Sequence, residues 1–466
     1  MRKLIGNKTF YKMVIAVALP IMIQNGITNL VSLLDNIMVG VVGNEQTPAV
    51  SIVNQLLFVF NLCIFGGVSG AGIFTAQFHG QKNYKGVRDT FRFKLIIGAI
   101  ITIISIGIFI IFKDTLIEAY LHEDGSGNDI ELTFKYAVSY LKIMLIGLLP
   151  FMISQVYSST LRETGETVIP MVASVVAVLV NLCINYVLIF GKLGFPKLGI
   201  EGAAIGTVIS RYIECAIVVI WVHRHKVKYK FIDGAYSKFS VPRDLTKRIV
   251  IKGTPLLINE ALWASGMAIL MQCYSVRGTS VVTGLAISST ISNLFNVAFI
   301  SLGGTVGIIV GPLLGAGKMD EAKDTAYKTI TFSVGVCFVM GLFMAFIAPI
   351  FPEIYNTTNE VKSLATGFIY ICALCMPIHG FLHSSYFTIR SGGKTWITFL
   401  FDSVYLWVIC VPLAYALSNY TNLPILTLYL LCQLVDLIKC LVGYILLKKE
   451  VWLENIVESD TKSIEV

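Results

Sequence analysis

The chain has 466 residues, of which 55% are hydrophobic and only 14% are charged, and its mean hydropathy is +0.76. This composition excludes an ordinary water-soluble globular protein and is typical of a polytopic membrane protein. The formal net charge of +8 could suggest a nucleic-acid partner, but the basic residues are placed as membrane topology requires, and we expect no nucleic acid to bind.

Hydropathy predicts twelve membrane spans, each near the ~20 residues that a bilayer requires. The spans run approximately over 13–40, 48–74, 94–112, 136–157, 167–190, 200–222, 249–276, 281–313, 329–351, 364–389, 396–418 and 424–447. The predicted fold class is therefore all-α integral membrane, with the lipid bilayer as a constant partner.

Lysine and arginine set the predicted orientation. With the N-terminus in the cytoplasm, the cytoplasmic segments hold 27 Lys and Arg and the outer loops hold six. Cytoplasmic loops carry the excess of basic residues in membrane proteins. Both termini are therefore predicted inside, in a multi-pass protein of the plasma membrane, or of the inner membrane if the source has two. The long outer loop, 113–135, is mostly acidic.

An internal repeat relates the two halves of the chain. A shift of 235 residues aligns Pro20 with Pro255 and the loop 80–90 with 315–325. The matched loops follow corresponding spans, which predicts two six-helix lobes related by a pseudo-two-fold axis along the membrane normal. The predicted domains are an N-terminal lobe over 1–222, a cytoplasmic connector over 223–248, a C-terminal lobe over 249–447 and a cytoplasmic tail over 448–466.

The first span carries an acid, Asp35, inside an apolar run. Its other polar side chains share one arc of about 140° at 100° per residue, namely Gln24, Asn25, Thr28, Asn29 and Ser32. A carboxylate at membrane depth costs about 2.5–3.5 kcal/mol. The arc therefore indicates a wet cavity or a polar neighbour, although it could also be a polar contact between helices.

Span 5 presents Ser174, Asn181 and Asn185 on one face. This face could meet the polar arc of the first span and coordinate an ion or relay a proton. The alternative is a strip of hydrogen bonds that only packs helices together.

Span 7, the repeat-mate of the first span, carries Glu260. Trp263, Met267 and Met271 lie on the same side of that helix. A carboxylate beside an aromatic ring and polarizable thioethers suits a lipophilic organic cation. The same stripe could equally be ordinary packing.

Span 10 carries His379 and His383 at i,i+4, in line with Tyr386. Such a pair can bind metal or change its charge near neutral pH. No convergent carboxylate is visible beside it in the sequence, so we favour a protonatable pair that faces the cavity over a metal site.

The candidate intramembrane acids are Asp35, Glu214, Glu260, Asp402 and Asp436. We interpret Glu214 with Arg211, and Asp436 with Lys439, as structural i,i+3 pairs. The other three acids have no such partner nearby on their own helices.

The sequence contains no phosphate-binding loop, nucleophile elbow or zincin motif. An enzyme is therefore not expected, nor is a cofactor, and energy for transport would come from an ion gradient.

Several motifs together resemble the multidrug and toxic compound extrusion (MATE) transporters. They are the Leu19, Pro20 and Asp35 pattern of the first span, the GQK loop at 80–82, the LRxxGxT loop at 161–167, and the repeats of these. The resemblance covers all twelve spans. It implies a V-shaped pair of six-helix lobes that exports cationic, often lipophilic compounds in exchange for Na⁺ or H⁺.

The resemblance also implies roles for individual residues. Asp35 matches the acid that drives the N-terminal lobe, and Asn181 matches an asparagine of the same polar cluster. Asn185 stands where some members have an aspartate. Glu260 matches the span-7 glutamate of members that couple through the C-terminal lobe, and His379 stands where those members place an acid, which favours H⁺.

The predicted function is thus a secondary active antiporter for small organic cations, working as a monomer by alternating access. The predicted ion-coupling residues are Asp35, Asn181, Asn185, Thr28 and Gln24. The predicted substrate-binding residues are Glu260, Trp263, Met267, Met271, His379, His383 and Tyr386. The alternative is a lipid-linked oligosaccharide flippase of the same superfamily, whose cavity should be cationic. Lys142 is the main unpaired base within the spans, and the unpaired acids Asp35 and Glu260 argue against a cationic cavity. A receptor or channel is a further alternative, against which the repeats and prolines count.

Overall fold

The computed structural model describes residues 4–40, 42, 46–121, 129–237 and 239–458, and it describes the backbone but not the side chain of Asn36. Within these residues the chain is built from helices, because lipid offers backbone groups no hydrogen-bond partner and a helix satisfies them internally. The α-helices are α1 (Lys8–Gly40), α2 (Gln46–Gly80), α3 (Tyr84–Ile111), α4 (Lys113–Glu118), α5 (Ile130–Ile146), α6 (Leu148–Glu163), α7 (Val168–Phe190), α8 (Ile200–Arg224), α9 (Arg243–Ser275), α10 (Thr279–Gly315), α11 (Met319–Ile347), α12 (Asn359–Ser391), α13 (Thr395–Phe399), α14 (Val411–Tyr420), α15 (Ile425–Leu434) and α16 (Asp436–Lys448).

Among the described residues, eleven helical stretches are long and apolar enough to cross a membrane. A twelfth span is the pair α5 and α6, which bend by 46° at a short break. Pro150 lies just after this break and cannot donate a backbone hydrogen bond to Ile146, the last residue of α5. The predicted all-α fold with twelve spans is confirmed, although the fourth span is bent.

The eleventh span also departs from a regular helix. Two π-helical turns, Leu400–Val404 and Leu406–Cys410, separate α13 from α14. Pro412, near the start of α14, has no N–H to donate to Val408. Widened turns of this kind rotate the side chains that follow them and often occur at functional sites. Asp402 lies in the first of the two turns.

The described chain forms two compact units, one of which comprises Ile23–Thr75 and Tyr84–Ile249. In this unit α8 packs against α5, α6 and α7, and α6 packs against α3. A buried ion pair joins α3 to α6, since Lys94 is fully buried and contacts Glu163. In the connector, the hydrogen bond from exposed Lys228 to Glu166 raises the pKa of the lysine.

The other unit comprises Met1–Met22, Ala76–Asn83 and Val250–Val466. Within it, α12 packs against α10, α11, α15 and α16. The predicted division into lobes, connector and tail remains a prediction. Residues 122–128 of the acidic loop and 459–466 of the tail lie outside the described residues.

The last turns of α2 and α10, both in this second unit, cross at two glycines. A Cβ atom on Gly80 would lie 1.9 Å from the carbonyl oxygen of Pro312, and one on Gly315 would lie 2.0 Å from that of Gln77. These two contacts are related by the 235-residue repeat. We call them the glycine crossing; only residues without a Cβ allow this approach.

Residues 450–457, which we call the C-terminal strap, pack against the same crossing. The Gln77 amide donates to Ser391 O (2.9 Å) and Glu454 O (3.2 Å), and its oxygen accepts from Ile456 N (2.9 Å). Trp452 is fully buried. The sequence predicts only a tail after the last span. Up to residue 458, this tail is a structural element of the unit.

Candidate transport site

Asp35 on α1 meets the polar face of α7. Its Oδ1 accepts from the Asn185 amide at 3.0 Å. The Asn181 side-chain amide is oriented so that both its nitrogen and its oxygen make hydrogen bonds. In this orientation the nitrogen donates to Asp35 Oδ2 at 2.8 Å. Both asparagines are buried, at 2% and 6% exposure for Asn185 and Asn181, while Asp35 is half-buried. The polar arc of the first span and the polar face of span 5 therefore do meet, as the sequence suggests.

Helix α8 forms the back of this cluster through two residues that sequence analysis did not select. In the orientation above, the Asn181 oxygen accepts from the Thr207 backbone N–H at 3.1 Å. Gly206 makes room for Asn185, because a Cβ atom there would lie 2.1 Å from Asn185 Oδ1. That oxygen is buried and has no hydrogen-bond partner among the described residues. The small residues around Gly206 are the feature of the sequence that could have indicated a close contact between α7 and α8 here.

Gln24 and Thr28 are on the same helix as Asp35 but make other contacts. Gln24 Oε1 accepts from Arg162 at 3.0 Å, and the Thr28 hydroxyl donates to Gln24 O at 2.8 Å. The structure thus joins Asp35, Asn181 and Asn185 and places the other two predicted ion-coupling residues in a separate group nearer the N-terminus of α1.

Glu260 on α9 lies among charged and aromatic groups of the other unit. Arg390 is close enough to attract it electrostatically, and Arg390 also hydrogen-bonds Tyr386. Farther along α9 the predicted apolar stripe is more than a third exposed: Trp263 41%, Met267 45% and Met271 36%. These three side chains are therefore accessible to an apolar ligand or to lipid.

The two predicted histidines lie against one aromatic ring. The ring centroids of His379 and His383 are 5.4 Å and 4.5 Å from that of Phe299. His379 Nε2 is 3.7 Å from Asp436 Oδ2. The expectation that no carboxylate converges on this pair is wrong, because α16 supplies one from outside the helix. Among the described residues, no cluster of three or more His, Cys, Asp or Glu could hold a metal ion.

Lys439 makes its ion pair with Asp402, at 2.8 Å, and not with Asp436 as its i,i+3 spacing suggests. Asn259 donates to the other oxygen of Asp402 at 3.2 Å, and Ser403 donates to Asn259 Oδ1 at 2.7 Å. Asp402 has no partner at helical spacing in the sequence because its partner, Lys439, comes from another helix.

The two clusters have different chemistry. In the first, one carboxylate is held by neutral amides, so a proton or a small cation at Asp35 would change the net charge there. In the second, three acids (Glu260, Asp402 and Asp436) lie beside basic groups: Arg390, Lys439 and His379. A cation entering that cluster must compete with a resident basic side chain for its carboxylate.

Comparison with known proteins identifies the family. The family model described as MatE matches residues 20–187 and 255–416, more than half of the chain. "Probable multidrug resistance protein NorM" of Thermotoga maritima is 25% identical over 424 residues, covering 89% of this chain and 87% of the relative. The protein of the same description from Oceanobacillus iheyensis is also 25% identical, covering 88% and 90%.

Solved structures share the fold. An outward-facing multidrug resistance MATE transporter superposes with a TM-score of 0.83 at 19% identity, covering 96% of this chain and 97% of that one. A Vibrio cholerae MATE transporter superposes with a TM-score of 0.84 at 17% identity, covering 96% and 98%. These folds have twelve spans in two lobes. The chain therefore belongs to the MatE family and is a multi-pass membrane transporter.

Proposed function

We propose that this chain is a secondary active antiporter that exports cationic, lipophilic organic compounds in exchange for H⁺ or Na⁺ by alternating access. The observation that carries the proposal is the Asp35 carboxylate held at membrane depth by the amides of Asn181 and Asn185. The relatives' description as multidrug resistance proteins supports organic compounds as the substrate class.

Asp35 would couple the ion. Both of its oxygens accept from amide N–H groups, an arrangement that suits the ionised carboxylate. A proton on either oxygen turns an acceptor into a donor that faces another donor, so the contact between α1 and α7 must rearrange. Sodium could instead bind between Asp35 and the unpartnered oxygen of Asn185, since carboxylate and amide oxygens suit a hard cation.

Glu260 would hold the substrate cation. Its carboxylate supplies the charge, and the exposed stripe of Trp263, Met267 and Met271 supplies apolar and polarizable surface. Tyr386, His379 and His383 on α12 would complete the site. Because Arg390 already attracts Glu260, binding of a cation requires the arginine to yield part of that interaction.

The remaining features of the proposal follow from the sequence. The ratio of 27 basic residues to six supports a cytoplasmic location for both termini. We propose that the protein acts as a monomer in the plasma membrane and holds no cofactor apart from the coupling ion.

The test uses purified full-length protein in liposomes, with efflux of ethidium driven by an imposed pH or Na⁺ gradient. Asp35→Asn should abolish gradient-driven exchange while retaining much of the ethidium binding. Glu260→Gln should weaken binding of cationic dyes more than binding of neutral ones. Glu131→Gln, which removes an exposed acid outside both clusters, is the matched control and should behave as wild type.

Full exchange by Asp35→Asn would remove the basis of the ion-coupling assignment. Equal loss of binding in the Asp35 and Glu260 variants would refute the division of labour between them. If wild-type protein neither binds nor exchanges organic cations under either gradient, the antiporter proposal fails and the flippase alternative gains support.

A further inference from the structure

We propose that Phe401, Asp402 and Tyr405 form a binding site for the charged head of an organic ammonium compound. We further propose that the Lys439 ammonium occupies this site until the substrate displaces it. The inference deepens the proposed function, on which it rests: it adds a recognition site on the eleventh span to the one that contains Glu260.

The three residues surround the lysine nitrogen with the groups that recognise ammonium ions. Asp402 Oδ1 lies 2.8 Å from Lys439 Nζ. The ring centroids of Phe401 and Tyr405 lie 5.2 Å and 5.9 Å from the same nitrogen, both within cation–π range. A carboxylate together with two aromatic faces is a typical arrangement for binding alkylated ammonium.

The site lies where the eleventh span is π-helical. Phe401 and Asp402 belong to the first π-helical turn, Leu400–Val404, and Tyr405 lies between this turn and the second, Leu406–Cys410. All three side chains lie around one nitrogen, that of Lys439. Asn259 donates to the Asp402 carboxylate at 3.2 Å, and Ser403 in turn donates to Asn259 Oδ1 at 2.7 Å and so orients that amide.

Lys439, which now occupies the site, has a second carboxylate nearby. Asp436 lies three residues before Lys439 on α16 and attracts it electrostatically. Because the lysine side chain is long and flexible, its ammonium can turn from Asp402 towards Asp436, which now contacts His379 at 3.7 Å. The lysine charge thus remains compensated when an external cation takes the Asp402 position.

The experiment measures binding of phenyltrimethylammonium to the full-length protein in lipid nanodiscs by titration calorimetry. Lys439→Met keeps the length of the side chain and removes the competing charge, so it should bind the probe at least about tenfold more tightly. Lys142→Met removes an exposed lysine of α5 and controls for the general loss of one positive charge. If Lys439→Met binds no more tightly than Lys142→Met, the proposal is wrong.

A second pair of variants tests the site with Lys439 in place. Tyr405→Leu removes an aromatic face and should weaken binding of the probe about fivefold or more. Tyr405→Phe retains the ring while it loses the hydroxyl's 2.7 Å bond to Val435 O, and should bind as wild type. Equal affinity of the two variants would overturn the assignment, even if Lys439→Met does not fold.

The outcomes separate this inference from the proposed function. Wild-type exchange of ethidium together with unchanged probe affinity in Lys439→Met would refute the ammonium site and leave the antiporter standing. Tighter probe binding in Lys439→Met, without gradient-driven exchange by wild type, would support the site and refute antiport.

Discussion

Replacing Gly315 with alanine should destabilise the protein through one contact. The added Cβ would lie 2.0 Å from the carbonyl oxygen of Gln77 and 2.5 Å from its carbonyl carbon. Carbon and oxygen atoms that are not bonded rarely approach closer than 3.0 Å, so the last turns of α2 and α10 must separate by about 1 Å. The obstacle is backbone in a helix, which cannot turn aside as a flexible side chain does.

The expected loss of stability is about 2–3 kcal/mol, the upper part of the range for overpacking, because the clash cannot be relieved by a change of rotamer. Alanine's better helix propensity offsets at most about 1 kcal/mol of this. Gly80→Ala should behave in the same way, since its Cβ would lie 1.9 Å from Pro312 O. The two glycines are repeat-mates and share one crossing.

Thermal unfolding can be followed with a thiol-reactive dye, because the chain has ten cysteines, five of them buried, that become accessible on unfolding. Gly304→Ala is the matched control, as it lies on the same helix with no atom within 4 Å of an added Cβ. It should unfold at or above the wild-type temperature. If Gly315→Ala unfolds at the same temperature as Gly304→Ala, the close approach of α2 and α10 does not exist.

Three further predictions concern other parts of the chain. Gly206→Ala, whose Cβ would lie 2.1 Å from Asn185 Oδ1, should reduce gradient-driven ethidium efflux at least about threefold by displacing that asparagine, and unaltered efflux would contradict this. Lys94→Met removes the buried ammonium that pairs with the Glu163 carboxylate and should cost about 3–5 kcal/mol of stability; the double variant Lys94→Met/Glu163→Gln should recover most of it in the same dye assay. Trp452→Ala should cost about 3–5 kcal/mol because the side chain is fully buried, whereas an unchanged unfolding temperature would mean that the C-terminal strap does not pack.

The sequence predicts contacts well where the helical periodicity of a single span determines which side chains share a face. The spacing of Asn181 and Asn185 puts both on one face of α7. A carboxylate such as Asp35 is costly at membrane depth, so a polar neighbour was expected. Together these two facts suffice to anticipate the contact, although not its geometry. Thr207 and Gly206 contribute a backbone N–H and empty space, which residue type does not reveal.

The sequence does not predict the ion pair of a long side chain that has two carboxylates nearby. Lys439 is three residues from Asp436, and the helical spacing favours that pair. The structure pairs it with Asp402 at 2.8 Å instead. The π-helical turn that contains Asp402 has no clear signature in the sequence beyond Pro412, and helical spacing does not indicate a contact between residues of two different spans.

The C-terminal strap has a consequence for biogenesis. It lies after the last predicted span, yet it completes the hydrogen bonds of Gln77 in the second helix. Synthesis runs from the N-terminus, so ten further spans are made after α2 before the two strap partners of Gln77, Glu454 and Ile456, are synthesised. A chain that stalls or is cleaved before residue 450 therefore leaves the crossing of α2 and α10 without the hydrogen bonds that the strap supplies.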